Sequence, residues 1–183
     1  MPIAWMDGEN DPMTAGTQRE RTLLLMRHAK SAYPPGVRDH DRPLAPRGIR
    51  EAKLAGEWLR GHLPEIDAVL CSTATRARDT LSHAGVTAPV AFCERLYDAV
   101  PGTVVEVING ADDWVGTLLV IGHEPALAQV SLGLASAHDS NQTAAEQIST
   151  KFPTSAIAVL RSGTPWHSLE LGGASLTCFH VPR

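Results

Sequence analysis

The sequence predicts an α/β protein: three layers, α/β/α, around a mostly parallel, mixed central sheet. Three observations predict it. Short apolar runs recur at residues 23–26, 67–71, 89–93 and 117–121, bounded by polar or turn residues as buried parallel strands are. Between them lie stretches with apolar residues at helical spacing, and such alternation implies parallel strands with helices on both faces. Beyond residue 155 the apolar runs are separated by turn residues alone, which points to antiparallel strands and makes the sheet mixed.

The first run ends abruptly in Arg27-His28, at the strand's carboxyl end, where open α/β sheets bind ligands. A loop with proline and glycine follows over residues 33–46 and holds the polar cluster Asp39, His40, Asp41 and Arg42. Pro46 suits a first helical turn. Ile49, Ala52, Ala55, Trp58 and Leu59 then share one helical face, and Gly61 and Pro64 end the helix. The second run leads into Ser72-Thr73 and a helix over residues 74–84, closed by Gly85. Its first turn carries Arg76 and Arg78, against the preference of the helix dipole; basic side chains placed there suit an anionic ligand.

The third run passes into a loop over residues 94–101 containing Leu96-Tyr97-Asp98. Val104, Val105 and Ile108 then mark a short helix ending near Gly110. The fourth run ends in Gly122-His123-Glu124-Pro125, and Leu127, Val130 and Leu134 form the buried stripe of the next helix. Residues 135–152, polar and rich in Ala, Ser and Gln, read as a loop. Residues 156–160, 168–171 and 175–181 read as strands.

A chain of 183 residues with 43% hydrophobic and 20% charged content reads as one globular domain over residues 21–183, preceded by a disordered tail over residues 1–20. A net charge of −4 disfavours nucleic acid and anionic membrane as partners. The three cysteines, Cys71, Cys93 and Cys178, are odd in number and show no CxxC spacing, so they read as reduced thiols of a cytoplasmic protein. No apolar run approaches the roughly 20 residues of a membrane span. The acidic start, with Asp7, Glu9 and Asp11, does not read as a signal peptide.

In a parallel sheet the ends of these strands lie on one edge, so Arg27, His28, Arg76 and His123 are expected to converge. Two arginines oppose a metal cation but suit a phosphoryl group, whose oxygens need several donors. No metal and no cofactor are expected. The remaining histidines, His40, His62, His83, His138, His167 and His180, lack motif context and read as surface or structural residues, and Trp58 reads as core.

At these residues the chain resembles the histidine phosphatase superfamily, the group that includes the phosphoglycerate mutases. Arg27-His28-Ala29 is similar to its Arg-His-Gly signature, with alanine in place of glycine. Ser72 to Ala77 is similar to its Ser-x-x-x-Arg-Ala block, and Ile121-Gly122-His123 to the block of its second histidine. Asp41-Arg42-Pro43-Leu44 with Gly48, and Thr154-Ser155-Ala156, resemble the small phosphohistidine phosphatases of bacteria. The resemblance implies a phosphoglycerate mutase-like fold and a metal-independent phosphatase. It implies His28 as a nucleophile that becomes phosphohistidine, and Arg27, Arg76 and His123 as its phosphoryl-binding groups. The family's Leu-x-Glu acid is matched only by Leu96-Tyr97-Asp98, which makes Asp98 the candidate acid/base, with Glu94 second.

A weak acid signal fits a leaving group that departs without strong protonation, as imidazole does and an alkoxide does not. The expected substrate is therefore phosphohistidine on a protein. The alternatives are small phosphoesters, or a phosphate- or phosphoprotein-binding module with little turnover.

Overall fold

The computed structural model describes residues 20–183. The expected tail, residues 1–20, lies outside the described residues except for Glu20, whose carboxylate accepts a hydrogen bond from Arg161.

Six strands, β1 (Arg21–Arg27), β2 (Ala68–Ser72), β3 (Val90–Cys93), β4 (Thr117–Gly122), β5 (Ile157–Ser162) and β6 (Ser175–His180), form one sheet in the order β3-β2-β4-β1-β5-β6. The first four strands are mutually parallel, and β5 and β6 run antiparallel to their neighbours. The α/β class and the mixed sheet read from the sequence are what the molecule has.

Side-chain alternation along the central strands builds two cores. Leu24, Met26, Val69, Cys71, Leu119 and Ile121 face one side. There they meet Ala55 and Leu59 of α1 (Pro46–His62) and Ala77 and Leu81 of α2 (Thr75–Ala84). Leu23, Leu25, Leu70, Leu118 and Val120 face the other side. They meet α3 (Pro101–Asn109), α4 (Ala126–Leu134) and α5 (Gln142–Thr150). Among the described residues no helix is long and apolar enough to cross a membrane.

Two elements differ from the sequence reading. Residues 135–152 are not a loop throughout, because α5 occupies 142–150. Asn141 caps it by accepting the Ala144 N–H at 3.0 Å, and Ala144 and Ile148, one turn apart, are buried. Residues 168–171 are not a strand. A 3₁₀ turn at Trp166–Ser168 buries Trp166, whose indole N–H donates to the Val115 carbonyl at 2.8 Å, and Leu169 packs beside it.

Candidate active site

The carboxyl ends of β1, β4 and β2 are adjacent and in register: Arg27 pairs with Gly122, and Cys71 with Ile121. The residues just past these ends are His28, His123 and, after Ser72, the first turn of α2 with Arg76. The four residues expected to converge do so. The rings of His28 and His123 stand 5.0 Å apart. The charges of Arg27 and Arg76 reach both imidazoles.

His28 is held from several sides. Its N–H donates to the Gly122 carbonyl at 3.0 Å, and its own carbonyl accepts from the Ser155 N–H at 3.3 Å. Ala29 N–H donates to the Thr80 hydroxyl at 2.9 Å. The ring Nδ1 lies 2.7 Å from the Ala29 carbonyl. A carbonyl only accepts, so Nδ1 carries the proton and Nε2 keeps its lone pair. Burial, partly opposed by that hydrogen bond and reinforced by the charges of Arg76, Arg27 and Arg42, pushes the imidazole down to about 4. His28 is thus neutral at physiological pH, as a nucleophile must be.

His123 is pushed further, to about 3, by burial first and then by His28 and Arg76. Its Nε2 lies 2.8 Å from the Ser72 hydroxyl, which itself accepts the Ala74 N–H at 3.3 Å.

The two arginines are anchored in the same manner. Arg27 donates from Nη1 to the Phe152 carbonyl at 2.7 Å. Arg76 donates from Nη1 to the Asp39 carbonyl at 2.6 Å and from Nη2 to the Asp39 carboxylate at 3.0 Å. Arg27 thus spends one terminal nitrogen on protein and Arg76 both, and in each Nε makes no protein hydrogen bond. Among the described residues, Arg27 Nε, Arg76 Nε, His123 Nδ1 and Ser155 Oγ are buried polar atoms with no protein partner. An orphaned buried donor costs about 1–3 kcal/mol, so a cluster of them at one strand edge marks a place built to receive acceptors.

Asp98 is not drawn into this set. It is exposed, at a left-handed φ of 53°, one residue past Tyr97, which instead points inward. The Tyr97 hydroxyl donates to Asp39 Oδ2 at 2.9 Å, and its ring stands edge-on to His123 and His40. Glu94 is also exposed and accepts from the Thr73 hydroxyl at 2.6 Å.

Asp39, Arg42, His40 and Tyr97 line the rim, and sequence reasoning assigned none of them a role. The polar run from Asp39 to Arg42, close in sequence to His28, was the available signal. His40 Nε2 lies 3.1 Å from the Thr73 hydroxyl. The Asp39 carboxyl would be raised by burial, but the Tyr97 hydroxyl and the guanidiniums of Arg42 and Arg76 override this and hold it near 2. Glu124 lies close to Arg27 and caps α4 by accepting the Ala128 N–H at 3.1 Å; burial raises its carboxyl. Among the described residues no group of three or more His, Cys, Asp or Glu is placed to share a metal ion.

The family model for the histidine phosphatase superfamily (branch 1) matches residues 23–106. An uncharacterized protein of Mycobacterium tuberculosis is 63% identical over 158 residues, covering 86% of this chain and 100% of that protein. Phosphohistidine phosphatase SixA of Escherichia coli is 32% identical over 110 residues, 56% of this chain and 67% of that protein. Among solved structures, the protein from Nakamurella multipartitia that carries the SixA name superposes with a TM-score of 0.82 at 36% identity, covering 94% of this chain and 99% of that one. A protein histidine phosphatase SixA complexed with tungstate gives 0.70 at 26% identity, covering 88% and 97%.

Proposed function

The chain belongs to the histidine phosphatase superfamily, in its SixA-like branch, and from that premise we propose that it removes phosphate from phosphohistidine on a protein, by way of a covalent phosphohistidine at His28. The observation that carries this reading is a neutral His28, its Nδ1 held by the Ala29 carbonyl and its Nε2 lone pair left available, beside the His123 ring and the charges of Arg76 and Arg27; Arg27 Nε, Arg76 Nε and His123 Nδ1 are without a protein partner and are the donors the reading uses.

In the first step the Nε2 lone pair attacks phosphorus, and the bond from phosphorus to the leaving nitrogen breaks with its electron pair going to that nitrogen. The three donors meet the phosphoryl oxygens, where charge shifts during transfer. The Ser72 hydroxyl accepts from Ala74 and lies against His123 Nε2; in this reading its proton goes to Nε2, which puts the imidazole proton on Nδ1, toward those oxygens. The Ala29 carbonyl keeps the Nδ1 proton of His28 in place, so the phosphorylated ring carries the positive charge that makes it a good leaving group in turn. Water then attacks phosphorus, and the electron pair returns to Nε2.

Two features favour phosphohistidine over an alkyl phosphate. The exposed Asp98 and Glu94 are poorly placed to protonate an alkoxide, whereas imidazole departs without a strong acid. The segment between β1 and α1 spans only residues 28–45, too short to add a capping domain over the site, which suits a substrate carried on a protein surface.

Charge neutralisation is assigned to Arg27 and Arg76, so turnover needs no added metal. The test is a single-turnover quench with labelled phosphohistidine protein in EDTA. An alkali-stable, acid-labile label should appear on the enzyme and be missing from His28→Ala. Turnover by His28→Ala, or activity that returns only with a specific metal, would overturn the reading.

A further inference from the structure

We propose that Asp39 is the positioning residue for Arg76: its turn holds one N–H on each terminal nitrogen of that guanidinium and so fixes the plane in which the remaining donors meet the phosphoryl group. This rests on the reading of the pocket as a phosphatase site.

Asp39 lies in a single 3₁₀ turn, Asp39–Asp41, in the segment that follows the nucleophile. It meets Arg76 twice, through its backbone carbonyl at Nη1 and its carboxylate at Nη2. Two contacts from one residue fix the plane of a guanidinium, which a single contact would leave free to swing. The carboxylate is itself saturated. Oδ1 accepts from Arg42 Nε at 2.9 Å and Nη2 at 2.5 Å, and Oδ2 accepts from Arg76 and from the Tyr97 hydroxyl. Four donors fill the four lone-pair sites of a carboxylate. Asp39 therefore has no capacity left for a substrate proton and acts through Arg76.

The clamp also ties the two halves of the site together. Arg42 Nη1 reaches the Ser31 hydroxyl at 2.8 Å, three residues beyond His28. Ser31, Arg42, Asp39 and Arg76 thus form one chain of hydrogen bonds from the loop after the nucleophile to the first turn of α2. On the other side of the pocket the Phe152 carbonyl holds Arg27 by Nη1, and Arg27 likewise keeps an orphaned Nε. A carboxylate beside Arg76 lowers that residue's pull on an anion. The structure accepts this in exchange for orientation, and orientation acts chiefly on the transition state.

The test is a double-mutant cycle of Asp39→Asn and Arg76→Lys, read with p-nitrophenyl phosphate and with a phosphohistidine protein. Asp39→Asn should lower kcat by on the order of 10²-fold, the scale of a misplaced catalytic donor, with KM changed less than about threefold. Combined with Arg76→Lys it should cost no more than about threefold beyond Arg76→Lys alone, because the group it positions is already gone. Tyr97→Phe, which deletes one donor to the same carboxylate, should give a smaller loss that likewise vanishes in the Arg76→Lys background.

Additive losses in the double variant, wild-type kcat in Asp39→Asn, or a loss confined to KM would each overturn the proposal. A wild-type enzyme that turns over neither substrate would overturn the phosphatase reading, and the positioning role with it. Activity without a phosphoenzyme at His28 would remove the proposed mechanism but leave the cycle readable.

Discussion

Arg76 shows why a charge count underdescribes this pocket. Its guanidinium has two separate tasks: the terminal nitrogens grip Asp39, and Nε is kept back, buried and without a protein partner. A lysine retains the charge but has one nitrogen, which cannot hold Asp39 at two points and also face the phosphoryl group. Arg76→Lys should therefore lose about 2–4 kcal/mol of transition-state stabilisation, the scale of removing a preorganised donor. Steady-state kinetics would show it as a drop in kcat of on the order of 10²–10³; near-wild-type turnover would place Arg76 outside the chemistry. The residue scale is also where the sequence was least legible. Asp39 owes its role to a partner 37 positions away, which no local pattern reveals. The Leu-x-Glu-like spacing that pointed to Asp98 carries no information on the backbone: residue 98 sits in a left-handed turn with its side chain exposed, while Tyr97 turns inward.

At the scale of elements, the loop after His28 depends on how closely α1 approaches it. A Cβ on Gly48 would stand 2.1 Å from the Lys30 carbonyl oxygen, a backbone atom two residues past His28. Neither chain can yield without moving the other, and Ala45 N–H already donates to that same carbonyl at 2.9 Å. Gly48→Ala should cost stability on the order of 1–3 kcal/mol, the range of a forced backbone clash. It should also lower kcat, because the displaced loop is the one that carries Ala29 and Ser31. Denaturant unfolding and kinetics on the same sample would check it; a variant as stable as wild type would show that α1 can retreat at no cost. The strands of this layout were legible because buried parallel strands are unbroken apolar runs, and their ends placed Arg27, His28 and His123 correctly. The helix α5 was not legible, because its buried stripe is only Ala144 and Ile148 and, apart from Ala145, its remaining residues are polar. Residues 168–171 read as strand because Leu169 and Leu171 alternate with polar residues, but only Leu169 is buried, packed beside the 3₁₀ turn at Trp166–Ser168, while Leu171 is exposed.

Across the whole molecule, the burial of two histidines beside two arginines at one sheet edge makes stability depend on pH. His28 and His123 are neutral in the folded protein down to about 4 and about 3, whereas in the unfolded chain each takes up a proton near 6.5. Between these limits the unfolded state binds more protons than the folded one, so stability rises with pH and is lost as pH falls from about 6.5 toward 4. For His28 alone the loss approaches about 3 kcal/mol at 1.36 kcal/mol per pH unit; the two rings are coupled at 5.0 Å, so their contributions do not add. A bound dianion reverses the local field. It favours imidazolium at both rings, raises their pKa values, and so binds with proton uptake, more tightly as pH falls. Sulfate remains a dianion throughout this range and isolates the protein's own titration from that of phosphate. The unfolding midpoint should drop between pH 7.5 and 5.5 without sulfate, and sulfate should raise it more at pH 5.5 than at pH 7.5. An equal rise at both values would mean that the anion binds away from the two histidines, and would separate the orphaned donors from the site at which they are proposed to act.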